Sequence, residues 1–475
     1  MYQAVIGVEV HFELSTETKL FCRCRNLFGE EENTLCCPVC LGLPGALPVI
    51  NKIAVEYALK AGLALGCRVN SPTRFDRKSY FYPDMPNEYQ TTQAFIPICA
   101  DGRVEFEVDG DIKSVGIHEI HLEDDAGKLI HSDSVTRIDY NRAGVPLIEV
   151  VTEPELHTAE ETVAFLEGLR LCMSYLGISD CKMQEGSMRV DVNLSVHKPD
   201  EPLGTRTEIK NLNSFRAVAN AIKNETERQI EIIENGGVIT QQTRRFDDVK
   251  GVSTVMRSKE TREDYRFFPE PNLPPMYITD AQIDEIRLSL PEFASERQKR
   301  LCNDYGISSA DAKIITSDRL VADYFEAVAS LCDQREASNR IVRDLLQKQR
   351  ETKIHITESH LTADKLAKII GLFVSDKISR RTSRELTDLA FCEPIDVSKY
   401  VEEKGLFQIT DDKVISAAIE SVLSENVTVV DDYRNGKTVA FSYLVGETIK
   451  RLNGRASPEI VNKLLNLMLN SDKNF

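Results

Sequence analysis

The sequence predicts an α+β protein: a strand-rich N-terminal part, then a helical domain, then a small helical tail. Three observations carry this reading. Residues 1 to about 290 alternate apolar and polar positions in short runs broken by glycine and proline. Beyond about 290 the pattern turns almost wholly helical and loses its β-branched alternation. At 475 residues the chain is too long for one typical core. We place the domains at 1–290, 291–408 and 409–475.

The elements follow in order. A strand over 4–14 starts at once, and within it Gly7-Val-Glu-Val-His11 puts Glu9 and His11 on one face. The stretch 51–65 reads as a helix with Ile53, Val55, Tyr57, Ala58 and Ala61 as its apolar stripe. Strands are expected at 103–109, 112–122, 135–141 and 147–152, and a helix at 158–175. The clearest strand is 188–196, where Arg189, Asp191, Asn193 and Ser195 alternate without exception with Val190, Val192, Leu194 and Val196. A strand over 205–211 places Arg206, Glu208 and Lys210 together. Ser214 then caps a helix that runs to Asn235-Gly-Gly237, with Glu225, Glu227, Arg228 and Glu231 on a charged exterior. Phe268-Pro-Glu-Pro-Asn-Leu-Pro-Pro275 closes the strand-rich part, and Ser308 and Thr362 read as N-caps of later helices.

Bulk properties narrow the function. A formal charge of −17 argues against a surface that grips nucleic acid everywhere. The segment from Tyr433 to Phe475 is the exception. It carries seven Lys/Arg against three acids, which leaves it at +4 and the rest of the chain at −21. Such a tail can hold RNA locally or simply be a solvated helical face. No run approaches the roughly 20 apolar residues of a membrane helix, and the N-terminus shows no signal-peptide pattern, so a cytoplasmic location is expected. Twelve cysteines in such a chain do not read as a disulfide framework. Cys22-Arg-Cys24 and Cys37-Pro-Val-Cys40 instead have the spacing of a closed four-sulfur zinc site, with Cys36 beside Cys37 leaving the third sulfur open.

Several strands thus pair carboxylates with Arg, Lys, His or Asn. His121-Leu-Glu-Asp-Asp-Ala-Gly-Lys128 adds three acids, read as a turn, and Arg142 and Glu149 follow on Asp139–Glu149. Acids at this density repel unless a cation offsets them, which points to a magnesium site serving phosphoryl transfer. No standard phosphate loop, dinucleotide fingerprint or kinase catalytic loop is present, so a nucleotide would bind through metal and strand residues. Phe75–Asp84, with Arg77, Lys78, Tyr80, Phe81 and Tyr82, combines cations and aromatics suited to a base and its phosphates. Thr243–Asp248, Met256–Glu260 and Asp264–Pro269 read similarly. On residues alone two other readings stay open: a metal-dependent kinase or ligase acting on a free small carboxylate, and a non-enzymatic zinc-stabilised RNA-binding subunit.

Taken together these segments resemble a known family. Gly7–His11, Phe75–Asp84, Glu123–Lys128, Asn141–Glu149, Glu185–Asn193, Glu208–Phe215, Asp264–Pro271, Gly436-Lys-Thr, Leu444-Val-Gly446 and Val461–Leu465 are similar, in order and spacing, to GatB, a component of the tRNA-dependent amidotransferase GatCAB. The resemblance implies a cradle domain with the kinase and transamidase site, a helical domain, and a tail akin to the small YqeY proteins, a similarity that starts near 330. It implies a ligase that uses ATP and Mg2+ to phosphorylate the side-chain carboxylate of Glu-tRNA(Gln), Asp-tRNA(Asn) or both. Ammonia then displaces phosphate. That ammonia would come from glutamine hydrolysed in an amidase-type partner, GatA, with the small GatC completing a heterotrimer, while Zn2+ stays structural. By the same resemblance Glu9, His11, Asp124, Glu149, Asp191 and Glu208, with Glu123 as a further candidate, surround magnesium. Arg189, Lys210 and Asn193 meet phosphate or ammonia, and Lys78 and Tyr82 lie near the nucleotide or the terminal adenosine. The chain departs from the common Glu-Glu-Asp at Glu123-Asp-Asp125, where Asp124 has the shorter reach.

Overall fold

The computed structural model describes residues 2–132, 134–258 and 264–471. Lys259 and Glu260 of one cation-rich segment, and Asp472 and Lys473 of the tail, lie outside them. The chain separates into two compact units, Met1–Phe293 and Ala294–Phe475.

The first unit is built on a nine-stranded sheet. Its strands are β1 (Gln3–Glu13), β2 (Arg68–Val69), β5 (Cys99–Val108), β6 (Asp111–Asp124), β9 (Pro146–Thr152), β10 (Met188–His197), β11 (Thr207–Leu212), β12 (Gln242–Asp247) and β13 (Val252–Ser258), in the order β13-β12-β11-β10-β1-β9-β6-β5-β2. Neighbours are antiparallel except β11 and β12, which run parallel. A smaller sheet joins β3 (Asp76–Ser79), β4 (Tyr89–Thr92) and β14 (Phe268–Pro269), so part of the proline-rich segment is itself an edge strand. A two-stranded ribbon pairs β7 (Lys128–His131) with β8 (Thr136–Asp139).

Three helices cover one face of the large sheet: α1 (Lys52–Ala64), α2 (Ala159–Leu176) and α3 (Phe215–Glu234). Against them pack Ile6, Val8, Val10 and Phe12 of β1, Ile120 and Leu122 of β6, Ile148 and Val150 of β9, and Val190, Val192 and Leu194 of β10. Alternation then forces the intervening polar residues onto the opposite face. That face carries the chemistry.

Local sequence sets the helix ends. Asn51 accepts from the backbone of Ile53 and Ala54, Thr158 from Glu161, and Ser214 from Ala217. Gly177 and Gly236, at φ 67° and 74°, take the left-handed conformation beyond α2 and α3. Ser308 caps in the same way, whereas Thr362 stands at the cap position without a side-chain bond. On α1 the buried stripe is Ala54, Ala58, Leu59, Ala61 and Gly62, and Ile53 is exposed. A methyl group at Gly62 would collide with the Cys99 sulfur, so the small residues set how closely α1 meets the sheet.

Three expectations change. The acids after His121 do not form a turn, because β6 continues through Asp124. Arg206 precedes β11 and is exposed. Glu225 is not on a charged exterior: it is fully buried beneath β12 and β13. Arg228 grips both its oxygens at 2.8 and 2.6 Å, Gln229 Nε2 donates to it at 2.9 Å, and Arg244 Nε lies 3.6 Å away.

The second unit is helical throughout, with one core drawn from Leu301 to Val401 and another from Ile415 to Leu469. A single π-helical turn, Ile341–Leu345, interrupts its longer central helix. No helix among the described residues is long and apolar enough to cross a membrane.

Removing one partner of a buried ion pair leaves an uncompensated charge. Glu225→Ala is therefore expected to cost about 3 kcal/mol of unfolding free energy. Exposed Glu227→Ala on the same helix should stay within about 0.5 kcal/mol in the same denaturant titration.

Candidate functional site

Register aligns the polar face into rows. Arg189 of β10 stands opposite His11 of β1, His11 opposite Glu149 of β9, and Glu149 opposite His121 of β6. One step along the strands, Glu9 stands opposite Asp191, and Asn193 opposite Glu208 of β11. Opposed residues in antiparallel strands share a face, so the rows form one continuous polar surface. It floors a groove of about 2030 Å³.

Two groups of candidate metal ligands lie on this floor. In the first, ligand atoms of His11, Glu123 and Glu149 all lie within 4.8 Å of one another. His11 Nε2 is 3.5 Å from Glu123 Oε1 and 3.6 Å from Glu149 Oε1. His121 Nε2 completes the group, 2.8 Å from Glu149 Oε2 and 3.6 Å from Glu123 Oε2. Burial alone would raise the Glu149 pKa, but His11, His121 and Lys78 outweigh it and hold the carboxyl well below the usual range. His121 is disfavoured as a cation by burial, yet Glu149 and Glu123 keep it protonated well above ordinary histidine pH.

The second group is all oxygen. Glu9, Asp191 and Glu208 again have ligand atoms within 4.8 Å of each other. Lys210 Nζ sits 2.5 Å from Asp191 Oδ2 and 3.1 Å from Glu208 Oε1, and Asn193 Nδ2 donates to Glu9 Oε1 at 2.8 Å. Burial raises the Glu9 pKa, and Glu149, Asp191 and Glu208 raise it further against the pull of Lys210. Lys210 follows Glu208 by two and shares its face, which brings it beside Asp191; the β10–β11 irregularity between Val190 and Val192 follows, with Asn211 at φ 70°. Oxygen-only carboxylates suit a hard cation, and the histidine-containing group also fits a divalent ion. Asn193 Oδ1 and Arg189 Nε are buried without hydrogen-bond partners, so the floor keeps polar capacity for a bound group.

At one end Arg189 binds Asp125 at 2.8 and 3.3 Å, and Arg142 approaches the same carboxylate at 3.4 Å. Burial opposes the Asp125 charge, but Arg189 and Arg142 hold its pKa down. Glu13 takes the complementary role: burial, then its neighbour Asp125, push its carboxyl up to about 8.

The structure does not bring Asp124 to these groups. Successive strand residues point to opposite faces, so Glu123 enters the groove and Asp124 turns behind the sheet. There its Oδ1 accepts from the Thr91 amide at 2.7 Å, and burial raises its pKa to about 8. Glu123 takes the position expected of Asp124. Lys78 does reach the groove, its Nζ 4.9 Å from the Tyr265 ring centre. Tyr82 is half exposed and does not line the groove; Tyr80, whose ring centre is 6.0 Å from that of Tyr82, does.

The four sulfurs of Cys22, Cys24, Cys37 and Cys40 also fall within 4.8 Å of one another. The Cys37–Cys40 and Cys24–Cys40 sulfurs are 3.9 and 4.0 Å apart. A tetrahedral ion with sulfur at about 2.3 Å requires about 3.8 Å. Cys36 stands aside, its sulfur 3.9 Å from Asn141 Oδ1, so Cys37 is the third member of the cluster. The fully buried Lys19 extends its Nζ to 3.7 Å from Cys40 Sγ, a countercharge for a thiolate cluster.

A family model of the GatB/GatE catalytic domain matches residues 4–284, and one of the GatB domain matches 323–469. The chain belongs to the GatB/GatE family. It is 48% identical over 473 residues to the aspartyl/glutamyl-tRNA(Asn/Gln) amidotransferase B subunit of Lachnoclostridium phytofermentans, covering 99% of both chains. It is 47% identical over 472 residues to the protein of the same name from Caldicellulosiruptor bescii, covering 98% of both. The corresponding Thermoanaerobacter pseudethanolicus protein is 47% identical over 467 residues, with the same 98% coverage.

In this GatB/GatE chain, sequence reasoning gave no site role to Glu13, nor to His121, Asp125 and Thr243, although the last three lie in segments it singled out. Two had a readable signal. Glu13 continues the Glu9–His11 alternation, and His121 precedes Glu123 by two. Asp125 and Thr243 depend on loop and strand placement that spacing does not encode.

The raised Asp124 pKa carries a sign that can be measured. The folded chain keeps a proton on Asp124 that the unfolded chain loses above about pH 4. Stability from this group therefore falls as pH rises from about 4 to about 8, then levels off. Asp124→Asn should shrink the drop in unfolding free energy between pH 5 and pH 8.5; an unchanged drop counts against the assignment.

Proposed function

We propose that this chain is the component of a tRNA-dependent amidotransferase that activates and amidates the side-chain carboxylate of Glu-tRNA(Gln), Asp-tRNA(Asn) or both. The observation that carries the reading is the pair of carboxylate groups on one groove floor, flanked by Lys78, Arg189 and Lys210. Carboxylates beside cations suit phosphoryl transfer, and a groove of about 2030 Å³ has room for a nucleotide and an aminoacyl end together. The names of the relatives support the substrate class.

In the proposed reaction a side-chain carboxylate oxygen attacks the γ-phosphorus of ATP and ADP leaves. Ammonia then attacks the acyl carbon, phosphate departs with that oxygen, and the proton lost from nitrogen passes to the phosphate. Held by Glu9, Asp191 and Glu208 and by His11, Glu123 and Glu149, Mg2+ would neutralise charge between ATP and the carboxylate. Lys210, fixed by two carboxylates, and Arg189, fixed by Asp125, present rigid positive charge toward the groove. Positioning supplies much of the remaining barrier lowering.

Ammonia would come from an amidase-type glutaminase partner, GatA, with the small GatC in the assembly. The four-cysteine cluster would hold structural Zn2+ and pin the loop between β1 and α1. RNA contact falls to the second unit. There Arg343, Arg380 and Arg384 stand exposed around a cleft of about 80 Å³ floored by buried Arg340. Several tail cations are paired locally: Lys437 with Asp432, Lys450 with Glu447 and Arg451 with Glu425.

The test supplies the assembled complex with mischarged tRNA, ATP, Mg2+ and ammonium. Amidated aminoacyl-tRNA is expected. Glu123→Gln should reduce it about a hundredfold, while Asp124→Asn leaves it near wild type. Amidation of free glutamate or aspartate without RNA would favour the small-carboxylate ligase, and product formation unaffected by Glu123→Gln would favour a non-catalytic RNA-binding role.

A further inference from the structure

At the edge of the large sheet, β12 and β13 form a hairpin that gives Phe246 to the core, while Thr243 on the same strand reaches the acidic floor. Thr243 is directly opposite Glu208 in the parallel β11–β12 ladder. Its Oγ1 donates to Glu208 Oε2 at 2.7 Å, and both side chains are buried. The other Glu208 oxygen, Oε1, lies 3.1 Å from Lys210 Nζ. The two groups grip the carboxylate from both ends, which fixes its plane relative to Glu9 and Asp191.

Thr243 lies on the second strand from the sheet edge, paired on both sides. The regular parallel β11–β12 pairing sets Thr243 beside Glu208, and on its other side the β12–β13 ladder shifts register by one residue, with Met256 of β13 left unpaired. Arg244 next door anchors β12 from below. Its guanidinium donates to Ser253 Oγ at 2.9 Å, to Ser253 O at 2.7 Å and to Gln242 Oε1 at 3.0 Å, and it faces the buried Glu225 of α3. Gln229 of the same helix ties Glu225 to Leu194 O and Thr207 Oγ1, one residue before Glu208. Polar bonds thus anchor β12 and β11 to α3 at Arg244 and Thr207, the residues next to Thr243 and Glu208.

We propose that Thr243 is a positioning residue: its hydroxyl orients Glu208 so that Glu9, Asp191 and Glu208 can bind one divalent cation. The inference rests on the metal-site reading above. Hydrogen-bond partners behind a ligating carboxylate typically contribute tenfold to a hundredfold in metal affinity. Thr243→Val keeps the shape and deletes the donor; Thr243→Ser keeps the donor.

The probe is Mn2+ titrated into the full-length chain, with free ion followed by electron paramagnetic resonance. Asp191→Asn identifies the sites that depend on the Glu9–Asp191–Glu208 group. Thr243→Val should weaken that same class about tenfold and leave the other class unchanged, while Thr243→Ser stays near wild type. In the assembled complex Thr243→Val should raise the Mg2+ concentration for half-maximal amidation, with the rate at saturating Mg2+ near wild type. Matching denaturation curves for the Val and Ser variants exclude a folding defect. Equal Mn2+ affinity in Thr243→Val and wild type, or equal weakening by Val and Ser, overturns the proposal. Should Asp191→Asn alter no class of Mn2+ site, the metal reading itself fails and the inference goes with it.

Discussion

Carboxylates crowded onto one sheet face repel one another, and the groove is organised around holding that repulsion in check. Each acidic group has its own countercharge. Lys210 lies between Asp191 and Glu208, His121 faces Glu123 and Glu149, and Arg189 and Arg142 converge on Asp125. The balance is incomplete at Glu9, whose pKa is pushed up by burial and by three neighbouring acids. A divalent cation beside Glu9, Asp191 and Glu208 would relieve that remaining repulsion.

The sheet makes this arrangement possible because its two faces have separate tasks. The apolar residues of β1, β6, β9 and β10 bury against α1, α2 and α3, so the rows of charge are set on a rigid support. Regular alternation puts Lys210 and Thr243 on the charged face, and the ladder irregularities fall beside them, at Asn211 of β11 and Met256 of β13. Buried Glu225 extends the support to the sheet edge, linking α3 to the hairpin that carries Thr243.

Much of this was legible in the sequence wherever alternation was strict. Arg189 to Val196 announced both its buried face and its polar one, and β1 placed Glu9 and His11 together for the same reason. Reading failed at ends and edges. Taking His121–Lys128 as a turn hid the alternation that sends Glu123 inward and Asp124 away. Glu225 looked solvated because helical spacing shows which residues share a face but not that an edge hairpin covers it. Cys36 and Cys37 cannot be told apart by spacing, whereas the position of Asn141 beside the Cys36 sulfur separates them at once. The tail's +4 left RNA binding and a solvated helical face both open, and the count omitted Glu425 and Asp432, which lie before the segment and pair with Arg451 and Lys437.

The central claim is that the groove joins ATP to a side-chain carboxylate before nitrogen arrives. Mischarged tRNA whose glutamate or aspartate side-chain carboxylate carries oxygen-18 at both oxygens tests it directly in the assembled complex. Attack of that carboxylate on the γ-phosphorus and later loss of phosphate must transfer one labelled oxygen to the released inorganic phosphate. Phosphate carrying one oxygen-18 for each amide formed is the predicted result; unlabelled phosphate accompanying full amidation would contradict the account.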